Sequence, residues 1–335
     1  MAVNLTLKKK KTEPAIIGVS ASNKLTRNPW WGDVIVYATL FLLGAITMLP
    51  IWMVVVRSFS PTHIISRYPA LLWPIEPTLD AYTYIFQTPT LLTSFGITVY
   101  ITVAGTALNL ALTILAAYGL SKRELPGNGL LMGLIVFAML FSAGIVPTFM
   151  VVRQLGMIDQ LSSLIFPSAI SAFNLILMRN YFWSVPPELE ESAKIDGASD
   201  LRVLITIVLP LSMPAIATIG LFYAVGHWNE FFGALFYIND NSKWPLQLLL
   251  RSIIIENNFQ NMGAGGGMGE VRQKMINPEN IKAATIVFAT VPILVVYPFL
   301  QKYFVQGVKL GAARGTDRDD RREFTFGGKS GKIGQ

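Results

Sequence analysis

Residues able to do chemistry are few in this chain, and their spacing excludes most of what they could do. Gly328-Lys329-Ser330 resembles the end of a phosphate-binding loop. The full pattern needs a glycine five residues before Gly328, and Glu323 stands there, with no apolar strand before it and no helix after it. The cluster Gly263–Gly269 does not fit the GxGxxG spacing of a dinucleotide loop. This chain is therefore expected to hydrolyse nothing itself and to bind no nucleotide cofactor. The two histidines, His63 and His227, have neither a second histidine nor a carboxylate pair at ligand spacing, so no metal is expected. Both are read as solvated or interface residues in or near loops. With no cysteine, thiol chemistry and disulfides are excluded. Ionisable residues within the long apolar runs are almost confined to Arg153 and Arg179, close to run ends. A proton relay through a membrane would need more.

Uncharged polar residues leave two readings open. Asn109 and Asn174 lie deep in apolar runs, where they either bond neighbouring helices or touch a translocated solute. Tyr100 and Tyr118 carry the same ambiguity. The stretch His227-Trp228-Asn229-Glu230-Phe231-Phe232 reads first as an interfacial aromatic belt or as packing. Mixed with Asn and Glu, its aromatics also suit contact with a sugar. Trp228 and Asn229 therefore join Asn109 and Asn174 as candidates for a substrate path.

The elements that must position these residues are membrane spans. The chain has 335 residues, 52% hydrophobic and 14% charged, against roughly 25% charged in a soluble domain. Apolar runs place six helices at about Val34–Val56, Leu92–Leu120, Leu130–Val152, Leu161–Phe182, Leu201–Ala224 and Ala283–Phe304. The fold class is all-α, a polytopic membrane protein. The first run is too long for the core of a signal peptide. Gly129 and Gly133 open the third at a spacing that permits close helix contact. Pro210 and Pro214 kink the fifth. Six spans put both termini on one side, and the basic tail 1–29 with the Lys122–Arg123 loop selects the cytoplasm. Residues 226–282 then form an outer loop, and 306–335 a polar cytoplasmic tail. The formal charge of +7 reads as topology signalling and contact with anionic lipid, not nucleic acid.

One cytoplasmic stretch, about 186–199, is charged where its neighbours are apolar. Pro186 and Pro187 open it, and Glu188, Glu190 and Glu191 follow in a first helical turn, where the helix dipole favours acids. Gly197 stops the helix, and Ser199 or Asp200 caps the next. A short helix with a built-in bend, rooted on a span, suits docking onto a partner. The bland alternative is a solvated loop helix whose acids merely favour the helix start.

Here the residues resemble a known family. Glu191-Ser192-Ala193, three residues, Gly197, nine residues and Ile207-Val208-Leu209-Pro210 is similar to the EAA loop of ABC importer permeases, with Ser192 in place of the middle alanine. The flanks PPELEESAKIDGAS, VLPLSMPAIAT and WNEFFGAL, with Trp244-Pro245-Leu246-Gln247, resemble the maltose-permease type and its branch for oligosaccharides or polysaccharide fragments. The resemblance covers about residues 30–315. It implies a type I importer permease that pairs with a homologous second permease, two ATPase subunits carrying ATP and magnesium, and an extracytoplasmic solute-binding protein. It implies ATPase coupling through Glu191, Ser192, Ala193, Asp196, Gly197, Leu209 and Pro210. It also implies contact with the binding protein from the outer loop, for which Gly263, Gly265 and Gly267 are the candidates. A permease for a non-sugar solute, and a secondary transporter working alone, are the rival readings.

Overall fold

In the computed structural model, residues 30–68, 70–122, 124–254, 279–296 and 298 are described. Both tails and the candidates Gly263, Gly265 and Gly267 lie outside them. Among the described residues every regular element is helical. The chain divides into two units at Ile51 and Trp52. The described part of the first is the leading portion of α1 (Trp30–Ser58), whose Tyr37, Phe41 and Leu42 point outward. An apolar exterior of this kind suits hydrocarbon.

The second unit holds α2 (Thr62–Arg67), α3 (Asp80–Gln87), α4 (Pro89–Ser121), α5 (Asn128–Leu140), α6 (Ile145–Gln154) and α7 (Ala172–Phe182). It continues through α8 (Pro187–Ile195), α9 (Asp200–Val203), α10 (Leu209–Leu211), α11 (Met213–Trp228), α12 (Phe232–Tyr237), α13 (Leu246–Ile254) and a last helix, α14 (Glu279–Val296). Among the described residues, three helices are long and apolar enough to cross a membrane, and the total is six when each bent pair counts as one span. The 33 residues of α4 reach about 50 Å at 1.5 Å per residue, well beyond the roughly 30 Å hydrocarbon layer.

Two of the three bent pairs correct the expectation of continuous helices, and the remaining one was expected. The third run turns by 111° between α5 and α6. Gly144 sits at the break with φ +82°, a conformation other residues resist. Pro147, three residues on, has no N–H to offer the carbonyl of Ala143, so one helix cannot run through. The fourth run starts as short 3-10 turns, Leu161–Leu164 and Phe166–Ser168, and turns by 52° into α7. The fifth bends by 85° at Ser212, between Pro210 and Pro214, as the prolines predict. The last helix already includes Glu279, ahead of the expected Ala283. Gly129 and Gly133 face open space, so their spacing makes no close contact among the described residues.

The core forms around α4. Its C-terminal half packs with α7, the α9–α10 segment and α11 through Ala117, Met178, Val203, Val208 and Ile219. Ile101, nearer its start, joins Val152, Leu164, Ala234 and Leu248. A third cluster links α3, α13 and α14 through Ile85, Leu249, Ile253 and Ile281.

Candidate functional site

The helix α8 ends in a tight and fully bonded turn. Gly197 takes φ +82°, its N–H donates to the Lys194 carbonyl at 3.0 Å, and the Ala198 N–H donates to the Ala193 carbonyl at 2.9 Å. These are the two bonds of a Schellman cap. The four-residue step from Ala193 to Gly197 is thus the step from the third-last helical position to the left-handed residue. That gives the motif spacing a geometric cause. Ala193 and Ala198 both pack against the core cluster of α4, α7 and α11, as does Leu209. Small side chains at the first two positions let the turn lie close to that core.

Beyond the turn, Ser199 caps α9 by accepting the Arg202 N–H at 3.4 Å. Lys194 reaches across to Asp200 at 2.9 Å. The Asp200 hydrogen bond raises the Lys194 pKa above its ordinary value, so the ammonium stays charged. After α9 the helix widens into a π turn, Leu204–Val208, closed by the Leu209 N–H on the Leu204 carbonyl. The bulge precedes Pro210, which donates no hydrogen bond. Leu209 and Pro210 therefore lie on the route from the α8 turn to the 85° bend, with Leu209 half-buried and Pro210 exposed.

The other end of α8 is tied to the end of α4. Lys122 forms an ion pair with Glu190 and lies over the Tyr118 ring, 4.1 Å from its centroid. The last carbonyls of α4 are taken by distant side chains. Arg179, 8% exposed, donates from Nε to the Leu120 carbonyl at 2.8 Å, and Trp183 donates from Nε1 to the Ser121 carbonyl at 2.7 Å. Asn128 donates to the carbonyls of Leu120 and Lys122. A cation at a helix C-terminus is favourable on electrostatic grounds as well. The Arg179 guanidinium also lies over the Trp183 ring at 3.9 Å, which locks both donors.

The outward side of α8 is left open. Glu188, Glu191, Ser192 and Ile195 recur at helical spacing, and all are exposed, as is Asp196 just beyond. Ile195 is 86% exposed, the most of any large apolar side chain described. Ser192 spends its hydroxyl on its own helix, donating to the Glu188 carbonyl at 2.7 Å. It offers a partner little more than the alanine it replaces.

Behind this corner runs a buried polar ladder. Gly105, Asn109 and Thr113 recur every fourth residue along one face of α4, and Tyr223 and His227 do so on α11. Asn109 is 1% and His227 4% exposed. Asn109 Nδ2 lies 3.0 Å from His227 Nε2 and donates to the Ser168 carbonyl at 3.3 Å. Thr113 Oγ1 and Tyr223 Oη are hydrogen-bonded at 2.8 Å, and Tyr223 Oη accepts the Ser171 N–H at 3.0 Å. Ser168 and Ser171 bracket the break before α7. The ladder therefore ties α4 and α11 to the backbone where the fourth run bends. Gly105 makes room for it: a Cβ there would lie 2.5 Å from His227 Nε2.

This arrangement places the remaining sequence candidates. Asn109 makes an interhelical hydrogen bond, the first of its two open readings. Asn174 is buried at the start of α7, where its N–H donates to the Ser171 cap. Trp228 is buried and donates to the Ala289 carbonyl at 3.2 Å. Asn229 is exposed and donates back to Val225. His227 was read as a loop or interface histidine and is instead inside the helix bundle. A periodicity test along Gly105, Asn109 and Thr113 would have shown a polar stripe in need of partners. His63, in contrast, is exposed and meets Glu76 at 3.1 Å.

Comparison with known proteins gives concordant results. Residues 109–310 match the family described as binding-protein-dependent transport system inner membrane component. Protein LplC of Bacillus subtilis (strain 168) is 49% identical over 279 residues, covering 82% of this chain and 93% of the relative. The polygalacturonan/rhamnogalacturonan transport system permease protein YtcP of the same organism is 48% identical over 284 residues, 84% of this chain and 98% of the relative. One chain of a crystal structure of a bacterial ABC transporter involved in the import of the acidic polysaccharide alginate superposes with a TM-score of 0.78 at 32% identity, covering 83% of this chain and 98% of that one.

Proposed function

Because the chain belongs to the family of binding-protein-dependent transport system inner membrane components, we propose that it is the permease subunit of an ATP-driven importer for oligosaccharides or polysaccharide fragments. The cargo class rests on relatives named for polygalacturonan, rhamnogalacturonan and alginate transport. The chain works with a homologous second permease, two ATPase subunits and an extracytoplasmic solute-binding protein. ATP and magnesium are held by the ATPase subunits, and hydrolysis occurs there. Both termini and the α8–α9 corner face the cytoplasm. The loop that contains Gly263, Gly265 and Gly267 faces the binding protein.

One observation carries the coupling role. The open face formed by Glu188, Glu191, Ser192 and Ile195 stands on a base bonded to α4, α7 and α9. An exposed apolar side chain beside two carboxylates is a surface for a partner groove. A displacement applied there reaches α4 through Glu190 and Lys122, and the fifth run through Gly197 and the π turn. A slack loop would dissipate it.

The test uses the complete importer. Gly197→Pro and Glu191→Lys should leave the chain in the membrane at normal abundance. Solute uptake should fall at least tenfold, and the ATPase subunits should lose their stimulation by loaded binding protein. Uptake equal to that of the unmodified importer in both variants would remove the coupling role.

A further inference from the structure

The loop that follows α1 turns back along the helix it has just left. Trp52 lies on α1 six residues before the helix ends at Ser58, which is about 9 Å along the axis at 1.5 Å per residue. Side chains on a helix lean toward its start, so the indole sits deeper still. Its Nε1 nevertheless donates to the Leu72 carbonyl at 2.8 Å, and the Trp73 ring lies 6.3 Å from the Trp52 ring between centroids. The chain at Leu72 and Trp73 therefore stands beside the last turns of α1, not past its end.

Contacts on both sides hold the loop there. Leu71 turns inward and is buried with Val56 and Ile64. The Thr78 N–H donates to the Phe59 carbonyl at 2.7 Å. The Phe59 and Tyr82 rings are 5.1 Å apart, and Ser58 Oγ and Tyr82 Oη are hydrogen-bonded at 2.8 Å. Pro74 and Pro77 limit the conformations open to the segment between. With Leu71 inside, its two successors are left outside: Leu72 is 57% and Trp73 70% exposed. Trp52, Ile75 and Leu79 are exposed as well. His63 and Glu76 give the loop a wet side, where they meet at 3.1 Å.

Trp52 belongs to a helix long and apolar enough to cross a membrane, so the exposed apolar face begins on a lipid-facing element. A pair of tryptophans near the end of a span suits the headgroup boundary, where an apolar ring and its N–H are both accommodated. We propose that segment 71–79 is a membrane anchor, with Leu72 and Trp73 seated in the outer leaflet between headgroups and acyl chains. The choice of leaflet rests on the cytoplasmic termini of the proposed function, whereas the contact with lipid rests on the Trp52 geometry. Such an anchor fixes how deep the outer end of α1 sits, and Tyr82 passes that constraint to α3.

Because the chain holds no cysteine, Leu72→Cys can carry a single spin label while both tryptophans stay. The complete importer, assembled with cysteine-free partner subunits, is reconstituted in vesicles of phosphatidylethanolamine and phosphatidylglycerol. Collisions of the label are read with oxygen, which concentrates in hydrocarbon, and with a water-soluble nickel complex. Oxygen collisions should dominate. Adding Trp73→Ser or Trp52→Phe should shift the label toward water, the second by removing only the N–H that holds Leu72. Dominant nickel collisions without those changes would place the loop in solvent and overturn the anchor. Few collisions with either reagent would mean that a partner subunit covers this face, and would overturn it too. No shift in either tryptophan variant would remove their role in holding the loop. Glu76→Cys tests the leaflet separately: a membrane-impermeant thiol reagent should label it in right-side-out membrane vesicles. Labelling only after the vesicles are opened would overturn the proposed orientation while leaving the contact with lipid intact.

Discussion

The α8–α9 corner and the α4–α11 ladder are both polar constructions in an apolar chain, and they are built in opposite ways. The caps of the corner are made of neighbours in sequence, although its Lys122–Glu190 ion pair spans 68 residues. Ala193, Gly197, Ser199 and Asp200 close its caps, and each contact spans only a few residues. The ladder is made of strangers: Asn109 meets His227 across 118 residues, and Thr113 meets Tyr223 across 110. The corner presents its polar groups to a partner, whereas the ladder hides them from one. A local construction tolerates exposure because water satisfies any group left over. A buried one has no such recourse: Asn109 Oδ1 is left without a hydrogen-bond partner, and an unpaired polar group in an apolar interior costs about 1–3 kcal/mol.

That contrast can be tested by substitution, starting with the largest effect. Gly105→Leu should be the most damaging, because even a Cβ there meets the His227 ring at 2.5 Å. Overpacking of this kind costs roughly 1–3 kcal/mol, and displacing His227 removes the Asn109 contact as well. A lowered unfolding temperature of the detergent-solubilised complex is the expected readout, and an unchanged one would mean that the ladder is not tightly packed. Next, His227→Ala and Asn109→Ala should each destabilise, and their double-mutant cycle should return a coupling of about 0.6 kcal/mol and no more than about 1.7 kcal/mol, the average and the maximum for interhelical bonds in a membrane protein. Additive effects would show that the two residues act independently.

Smaller effects are expected at the corner. Lys122→Ala and Glu190→Ala should couple by no more than about 1 kcal/mol, since both side chains retain solvent contact. A larger cycle energy would make the corner resemble the ladder. Ser192→Ala should change stability and uptake least of all, because its hydroxyl serves only its own helix. A measurable loss of uptake there would place the hydroxyl in a partner contact.

The difference in construction also explains what could be read from the chain. Gly197, with its step from Ala193, was legible because a helix cap is a local event. The bend between Pro210 and Pro214 was legible for the same reason. The break at Gly144 had a local signal in Pro147, but hydrophobicity ran through it and suggested one straight span. His227 was misread because flanking aromatics resembled an interface, and nothing near it in sequence reveals Asn109.

The sequence alone therefore determined the class, the six apolar runs, the caps of α8 and α9, and the motif that marks the family. Each depends on composition or on residues within a helical turn or two. Tertiary structure decided which polar residues meet: Arg179 and Trp183 on the end of α4, Asn109 on His227, and Arg251 on Phe231. Those meetings depend on how the long helices bend and cross. Bends of 52°, 85° and 111° move side chains by far more than a hydrogen-bond length. No local pattern fixes such displacements, because they follow from packing over the whole bundle.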